Sequence, residues 1–272
     1  MSKPSPTLAG RAAGTLVGLA AGRRLALGDA PDGGLTMARI LADELAAGRR
    51  DLRELARRWV AWHQAHPAAV DPETGAALVH VARHDEPPAG AAGQGTDPLV
   101  RALPVALAAF DAPRTLVSAT YHIVALTHPD PVVAWAAVAV NVAVARFLSG
   151  KRDFVPEVLE LLRANEAPAP VVEALRRVPL PAGAATAPVG RALGDAEAAL
   201  RLAYHEPLLE RGLRKTAEEG AAGAGRTGLA GALLGARDGL DGIPAAWTTA
   251  PADAELADLA ARLVRAPTPA ER

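Results

Sequence analysis

The chain contains no cysteine, which excludes disulfides, a thiolate nucleophile and cysteine-bound zinc or iron–sulfur centres. Aromatic residues make up only 3% of it, although half of all residues are hydrophobic. Such a core must be built from Ala, Leu and Val, which favours closely packed helices over a sandwich or barrel. Neither sign of charge is in excess: 29 basic residues face 30 acidic ones, for a net charge of −1. There is no global field to gather nucleic acid or an anionic membrane, so neither is expected as a partner. Long hydrophobic runs are missing as well. The most apolar stretch, Val132 to Leu148, contains Asn141 and Arg146, falls about one residue short of the usual ~18 for a span, and reads as a buried helix. The first residues, MSKPSPTLAGRAAG, lack the continuous apolar core of a signal peptide. A cytoplasmic location is the expectation.

What is present fits one large all-α domain over residues 1–272, with its core at about 10–266, since no stretch of the 272 residues reads as an interdomain linker. Small and apolar residues alternate from Arg11 to Leu25, predicting a first helix that lies close against its neighbours. Asp51 to His66 predicts a basic amphipathic helix with Leu55, Trp59 and Trp62 on one side and Arg53, Arg57 and Arg58 elsewhere. His80 and His84 are spaced i, i+4 on a predicted helix over Gly75–Arg83. That spacing suits a metal, but it lacks the HExxH glutamate and reads better as a surface pair. Two helical pieces follow between Pro156 and Arg177. After a Pro/Ala-rich connector over Val178–Ala187, Ala192–Tyr204 and Asp253–Arg265 are predicted helices.

The stretch Leu209 to Trp247 organises the rest. It reads as a charged amphipathic helix, a Gly/Ala break over Gly220–Gly225 inside the molecule, a small-residue helix over Ala230–Ala236, and an Ile-Pro-Ala-Ala-Trp exit. Small residues let helix backbones approach closely, which suggests the packed centre of a bundle. Gly220–Thr227 nearly matches a phosphate-binding P-loop, and Gly223–Gly228 matches GxGxxG. Both patterns need a buried strand immediately before the glycines to aim the loop. Glu210, Arg211, Arg214, Lys215, Glu218 and Glu219 at helical spacing rule that strand out.

Five ordered motifs instead resemble the ADP-ribosylglycohydrolase family. Gly14, Leu16, Gly18, Leu19, Ala20 and Gly22 fit its N-terminal Gly-x-Leu-x-Gly-Leu-Ala-x-Gly, but Arg23 stands where an aspartate belongs. Met37 fits the Thr-Asp-Asp-Thr-x-Met segment, whose four preceding positions are Asp32, Gly33, Gly34 and Leu35. Gly95 to Leu107 is similar to a cleft-lining segment, with Arg101 and Pro104 matching and Thr96-Asp97 in place of an Asn/Asp-Gly pair. Thr127-His128-Pro129-Asp130-Pro131 matches the Thr-His-x-Asp-Pro turn. The last signature matches through Ala230–Ala236 and Ile243–Trp247, but its two aspartates fall on Ala222 and Ala224 and its threonine on Gly225.

The resemblance implies the family's all-α fold and, in metal-dependent members, a pair of magnesium or manganese ions held between the two aspartate signatures. Hard cations need oxygen ligands, mainly carboxylates. Gly33, Gly34, Ala222, Ala224 and Gly225 supply no side-chain oxygen. Asp32 alone could be recovered by a shift in register, and one carboxylate does not replace the set. A guanidinium cannot deprotonate and repels a divalent ion. Arg23, with Arg226, is therefore expected to hold an anion or a retained carboxylate where the metals were, and no metal cofactor is expected there. Arg101 either grips a phosphate or carboxylate bidentately or ties helix-end carbonyls. Asp130 caps a helix in one reading and serves as an acid or base in the other; the role of His128 stays open.

Three functions follow as expectations. The first is a non-catalytic relative binding an ADP-ribose-like or other anionic small molecule, or a protein partner, through the old cleft, with Arg23, Asp32, Arg101, His128 and Arg226 in contact. The second is a metal-independent hydrolase of an ADP-ribosyl or related N-glycosidic bond with Asp97, His128 or Asp130 as acid or base. The third is an assembly protein without a ligand cleft.

Overall fold

The structure, a computed structural model, describes residues 5–90, 93–181 and 191–265. Among them there are α-helices and short 3₁₀ turns and no strand. The helices are α1 (Leu8–Leu27), α2 (Gly33–Ala46), α3 (Leu52–Ala65), α4 (Pro72–His84), α5 (Asp97–Ala102), α6 (Pro104–Ala108) and α7 (Pro113–Ala125). They continue as α8 (Pro131–Leu148), α9 (Val155–Ala164), α10 (Ala169–Arg177), α11 (Ala192–His205), α12 (Leu209–Ala217), α13 (Ala224–Asp238) and α14 (Pro251–Leu263). Local chemistry sets several of the starts. Thr7, Asp32, Asp51, Asp71 and Asp130 each accept a hydrogen bond from an otherwise free first-turn N–H. Pro72 and Pro131 then stand at the first helical position, where a missing N–H costs nothing.

The centre of the bundle is the α1–α13 pair, and it is a contact of backbone on backbone. A Cβ on Gly14 would lie 2.3 Å from the Gly235 carbonyl oxygen, one on Gly18 2.2 Å from that of Gly231, and one on Gly22 2.3 Å from that of Thr227. The reverse is equally tight: a Cβ on Gly231 would come within 2.0 Å of Gly18 O and one on Gly235 within 1.9 Å of Gly14 O. Glycines four apart on each helix share one face, so the two ridges vanish together and the axes close up. Around this pair, α8 supplies Ala or Val at twelve of its eighteen positions. It is long and apolar enough to cross a membrane by length and composition, but 78% of that window is buried, as in a core helix. Asn141 within it donates to Ala102 O and Thr120 Oγ1, both at 2.9 Å, so its amide nitrogen is satisfied.

Two expectations need correction. The break before the last small-residue helix ends at Gly223, because Ala224 already has helical dihedrals and α13 runs six residues further toward the N-terminus than the pattern Ala230–Ala236 indicates. Nor does the break lie inside: Ala221 and Ala222 are exposed. Most of the connector after Val178 lies outside the described residues. The basic face of α3 is largely neutralised, with Arg57 on Asp85 and Arg58 on Glu44 and Glu54.

Candidate functional site

The α1–α13 contact carries the end of α1 to the start of α13, and the N-termini of α2 and α5 meet it there. Between them lies a pocket of about 300 Å³ whose walls include Arg23, Gly33, Asp71, Thr96, Asp97, Ala222, Ala224 and Gly225. A larger groove of about 1030 Å³ runs beside α12 and residues 240–248. Charges there pair locally, Arg211 with Glu206 and Arg214 with Glu210, and no buried polar groups converge on it, so the smaller pocket is the better site.

Arg23 closes one wall of that pocket. It is 4% exposed; Nε donates to Asp32 Oδ2 at 2.8 Å, Nη2 to Asp32 Oδ1 at 2.6 Å, and Nη1 to Asp97 Oδ1 at 2.7 Å. One cation thus bridges two carboxylates from the starts of different helices, of which Asp97 lines the pocket and Asp32 does not. Burial works against the guanidinium charge, but Asp97 and Asp32 outweigh it and raise the pKa of Arg23 above its ordinary value. Asp32 also accepts from the Leu35 N–H at 2.9 Å, so the same carboxylate caps α2 and anchors Arg23.

The surrounding atoms have closed over the small residues. A Cβ on Gly33 would sit 2.2 Å from Ala69 O, one on Gly34 2.9 Å from the Asp97 carboxylate, and one on Gly225 2.5 Å from Thr96 Cβ. Thr96 in turn bonds to Asp195, a fully buried acid on α11. Arg226 belongs to this second network: Nε donates to Asp195 Oδ1 at 3.0 Å and Nη1 to Glu219 Oε1 at 2.6 Å. Arg23 and Arg226 are therefore parts of two ion-pair clusters and do not form one anion clamp; only Arg23 is among the pocket-lining residues. Asp195 escaped sequence reasoning, although an acid inside the apolar α11 pattern ALGDAEAAL was a readable signal.

Arg101, expected to face a ligand, is 0% exposed and is not among the residues that line the pocket. Its guanidinium stacks over the Trp59 ring at 5.5 Å, donates to Thr127 Oγ1, and reaches Thr74 Oγ1 at 3.3 Å and His128 Nδ1 at 3.2 Å. Burial lowers its pKa to about 10 against the pull of Asp97 and Asp71. His128 is also 0% exposed. Burial and then the Arg101 charge push its pKa down to about 4, with Asp71 opposing, so the ring is neutral near pH 7.

Asp130 accepts from the Val132 N–H at 2.8 Å and caps α8; it does not line the pocket. Replacing it with Ala should cost about 1 kcal/mol, a fall of ~2–4 °C in Tm for a chain of this size. Ligand binding measured on the same variant should be unchanged, and a loss of binding with Tm intact would assign Asp130 to the site instead.

The chain is thus an all-α bundle whose pocket gathers helix N-termini, with a lining assembled from segments spread along the chain. The ADP-ribosylglycohydrolase family profile matches residues 33–272, and the chain belongs to that family. Among solved structures, a chain described as an ADP-ribosylglycohydrolase-related protein complex superposes with a TM-score of 0.79 at 24% identity, over 95% of this chain and 98% of that one. At that identity the likeness establishes the fold alone. No curated protein sequence matches.

Proposed function

We propose that this protein is a non-catalytic member of its family that recognises an ADP-ribose-like or other anionic small molecule at the pocket beside Arg23, without the family's paired magnesium or manganese ions. The observation that carries this reading is the Arg23 bridge between Asp32 and Asp97. The residues present do not fit a binuclear centre. Gly33, Gly34, Ala222, Ala224 and Gly225 have no donor side chains, Asp32 and Asp97 are spent on a guanidinium, and neighbours crowd the Gly33 and Gly225 positions. Recognition without turnover needs shape and donors, and Arg23 has N–H groups beyond the three engaged with Asp32 and Asp97. The pocket, about 300 Å³, is at the lower end of the range for small-molecule sites, which favours capture of part of a nucleotide over its full enclosure.

A metal-independent hydrolase draws less support. Asp97 is neutralised by Arg23, Asp130 is a cap, and His128 does not line the pocket. Calorimetric titration with ADP-ribose, with and without millimolar magnesium, tests the reading. Binding that changes less than twofold with magnesium is expected. Binding that requires the ion would overturn it, as would release of ADP-ribose from an ADP-ribosylated substrate.

A further inference from the structure

Asp195 lies behind the pocket, and the recognition reading does not use it. It enters from α11, on which Ala192, Ala196 and Ala199 belong to the core, and is itself 0% exposed. Oδ2 accepts from Thr96 Oγ1 and Oδ1 from Arg226 Nε, while Arg226 Nη1 carries the chain of bonds on to Glu219. As a source of stability the cluster is poor. Arg226 Nη2 and Glu219 Oε2 are buried without a hydrogen-bond partner among the described residues, each at a desolvation cost. A buried ion pair is in any case often no more stabilising than apolar residues of the same volume. What this one supplies is geometry.

Both partners of Asp195 belong to the walls of the pocket. Thr96 lines it from the segment before α5. Threonine is a good N-cap, yet Thr96 makes no cap bond to α5, and its hydroxyl is turned back to Asp195 instead. Arg226 stands in the first turn of α13, beside Ala224 and Gly225, which line the pocket. That helix starts without a side-chain cap, and the turn before it presents the exposed methyl groups of Ala221 and Ala222. This wall therefore has little apolar anchorage of its own. The two walls meet where a Cβ on Gly225 would come within 2.5 Å of Thr96 Cβ, so a shift of either one changes the width of the pocket.

We propose that Asp195 is a positioning residue for the pocket: without touching the ligand, its carboxylate sets the spacing of the Thr96 and Ala224–Gly225 walls by holding Thr96 and Arg226 at once. The inference rests on the recognition reading for what the pocket binds, and on the bonds of Asp195 for the spacing itself. Binding groups must be held to within about 0.5 Å, and residues behind them do the holding. Side-chain chemistry decides which substitutions keep the spacing. Asparagine has the same size; its Oδ1 accepts from Arg226 Nε, and its Nδ2 donates to Thr96 Oγ1, which turns from donor to acceptor. Alanine breaks both ties and leaves Arg226 with Glu219 alone.

The test compares the full chain with Asp195→Asn and Asp195→Ala by calorimetric titration with ADP-ribose and by hydrogen–deuterium exchange over residues 219–227. Asp195→Ala is expected to weaken ADP-ribose about tenfold or more, short of the ~100-fold that a 1 Å misplacement costs a reacting group. Exchange over 219–227 should rise about tenfold with it. Asp195→Asn should stay within about threefold of the parent in both, because it keeps both bonds. A merely structural Asp195 would lower Tm and leave the affinity of the folded protein alone, as expected of Asp130→Ala, the stability control. Should Asp195→Ala not fold, Thr96→Val removes one tie while Asp195 retains Arg226; exchange is then expected to rise over 94–99 and to hold over 219–227. Affinity retained in Asp195→Ala, or lost equally in Asp195→Asn, overturns the proposal and leaves the recognition reading standing. A parent that binds no ADP-ribose removes the recognition reading, and unchanged exchange over 219–227 in Asp195→Ala then overturns the positioning role as well.

Discussion

Gly18→Val should lower the melting temperature by roughly 8–16 °C or more. The first atom added already meets Gly231 O at 2.2 Å and its carbonyl carbon at 2.9 Å, and both belong to a helix backbone that no rotamer change can move. Overpacking an ordinary core costs ~1–3 kcal/mol because side chains can shift. Here α1 and α13 must separate along their length, undoing the paired contacts at Gly14–Gly235 and Gly22–Thr227 together. A loss of about 4 kcal/mol or more is expected, a large share of the ~5–15 kcal/mol that holds a domain together. Gly75→Ala is the control. That helical glycine has nothing closer than 3.5 Å to an added Cβ, so the change should be neutral or stabilise by roughly 0.5–1 kcal/mol. Circular dichroism melting of both variants decides the matter: a Gly18→Val protein that melts within a few degrees of the parent would show that the two helices are not locked at this distance.

That contact was also the most legible feature of the sequence. Glycines at 14, 18 and 22 against 231 and 235 form two four-residue ladders, and a short spacing on a regular helix is geometry that one dimension preserves. The cap at Asp130 was readable for the same reason, since a cap acts within three residues of itself. The site was legible by halves. Arg23 in an acid's position signalled a displaced cation, but its partners were not written beside it: Asp32 is nine residues away and Asp97 seventy-four. Arg101 stayed open between a ligand and a structural role because nothing local states that residues 59, 74, 127 and 128 surround it. Asp71 was not singled out in the sequence, because its proximity to His128 exists only after α4 and the turn before α8 are packed together. The overlong break had a different cause. Ala221 to Gly225 interleaves the best helix former with one of the poorest, so composition alone does not place the helix start there.

Arg23→Ala should turn the pocket from a cation-filled site into a cation-binding one. Removing the guanidinium leaves Asp32 and Asp97, with side chains 15% and 22% exposed, facing each other without a counter-charge. Breaking a buried pair on one side costs ~3–5 kcal/mol. Partial access to water puts this case near the lower figure, a fall of roughly 6–12 °C in Tm at ~2–4 °C per kcal/mol. The two carboxylates then repel, and a divalent ion that bridges them stabilises the folded chain alone. By linkage, an ion present at a hundred times its Kd restores ~2.7 kcal/mol, so millimolar Mn²⁺ should return most of the lost Tm. The parent should show no such response at this position, because Arg23 already supplies the charge. Arg23→Lys should fall between the two, since a single ammonium keeps the charge but cannot span both acids as the forked guanidinium does. Manganese rescue that is equal in Arg23→Ala and in an Arg23→Ala, Asp32→Asn, Asp97→Asn triple variant would place the ion elsewhere. Loss of rescue in the triple variant would show that one arginine stands where a metal ion would otherwise bind, which is the change on which the proposed loss of catalysis depends.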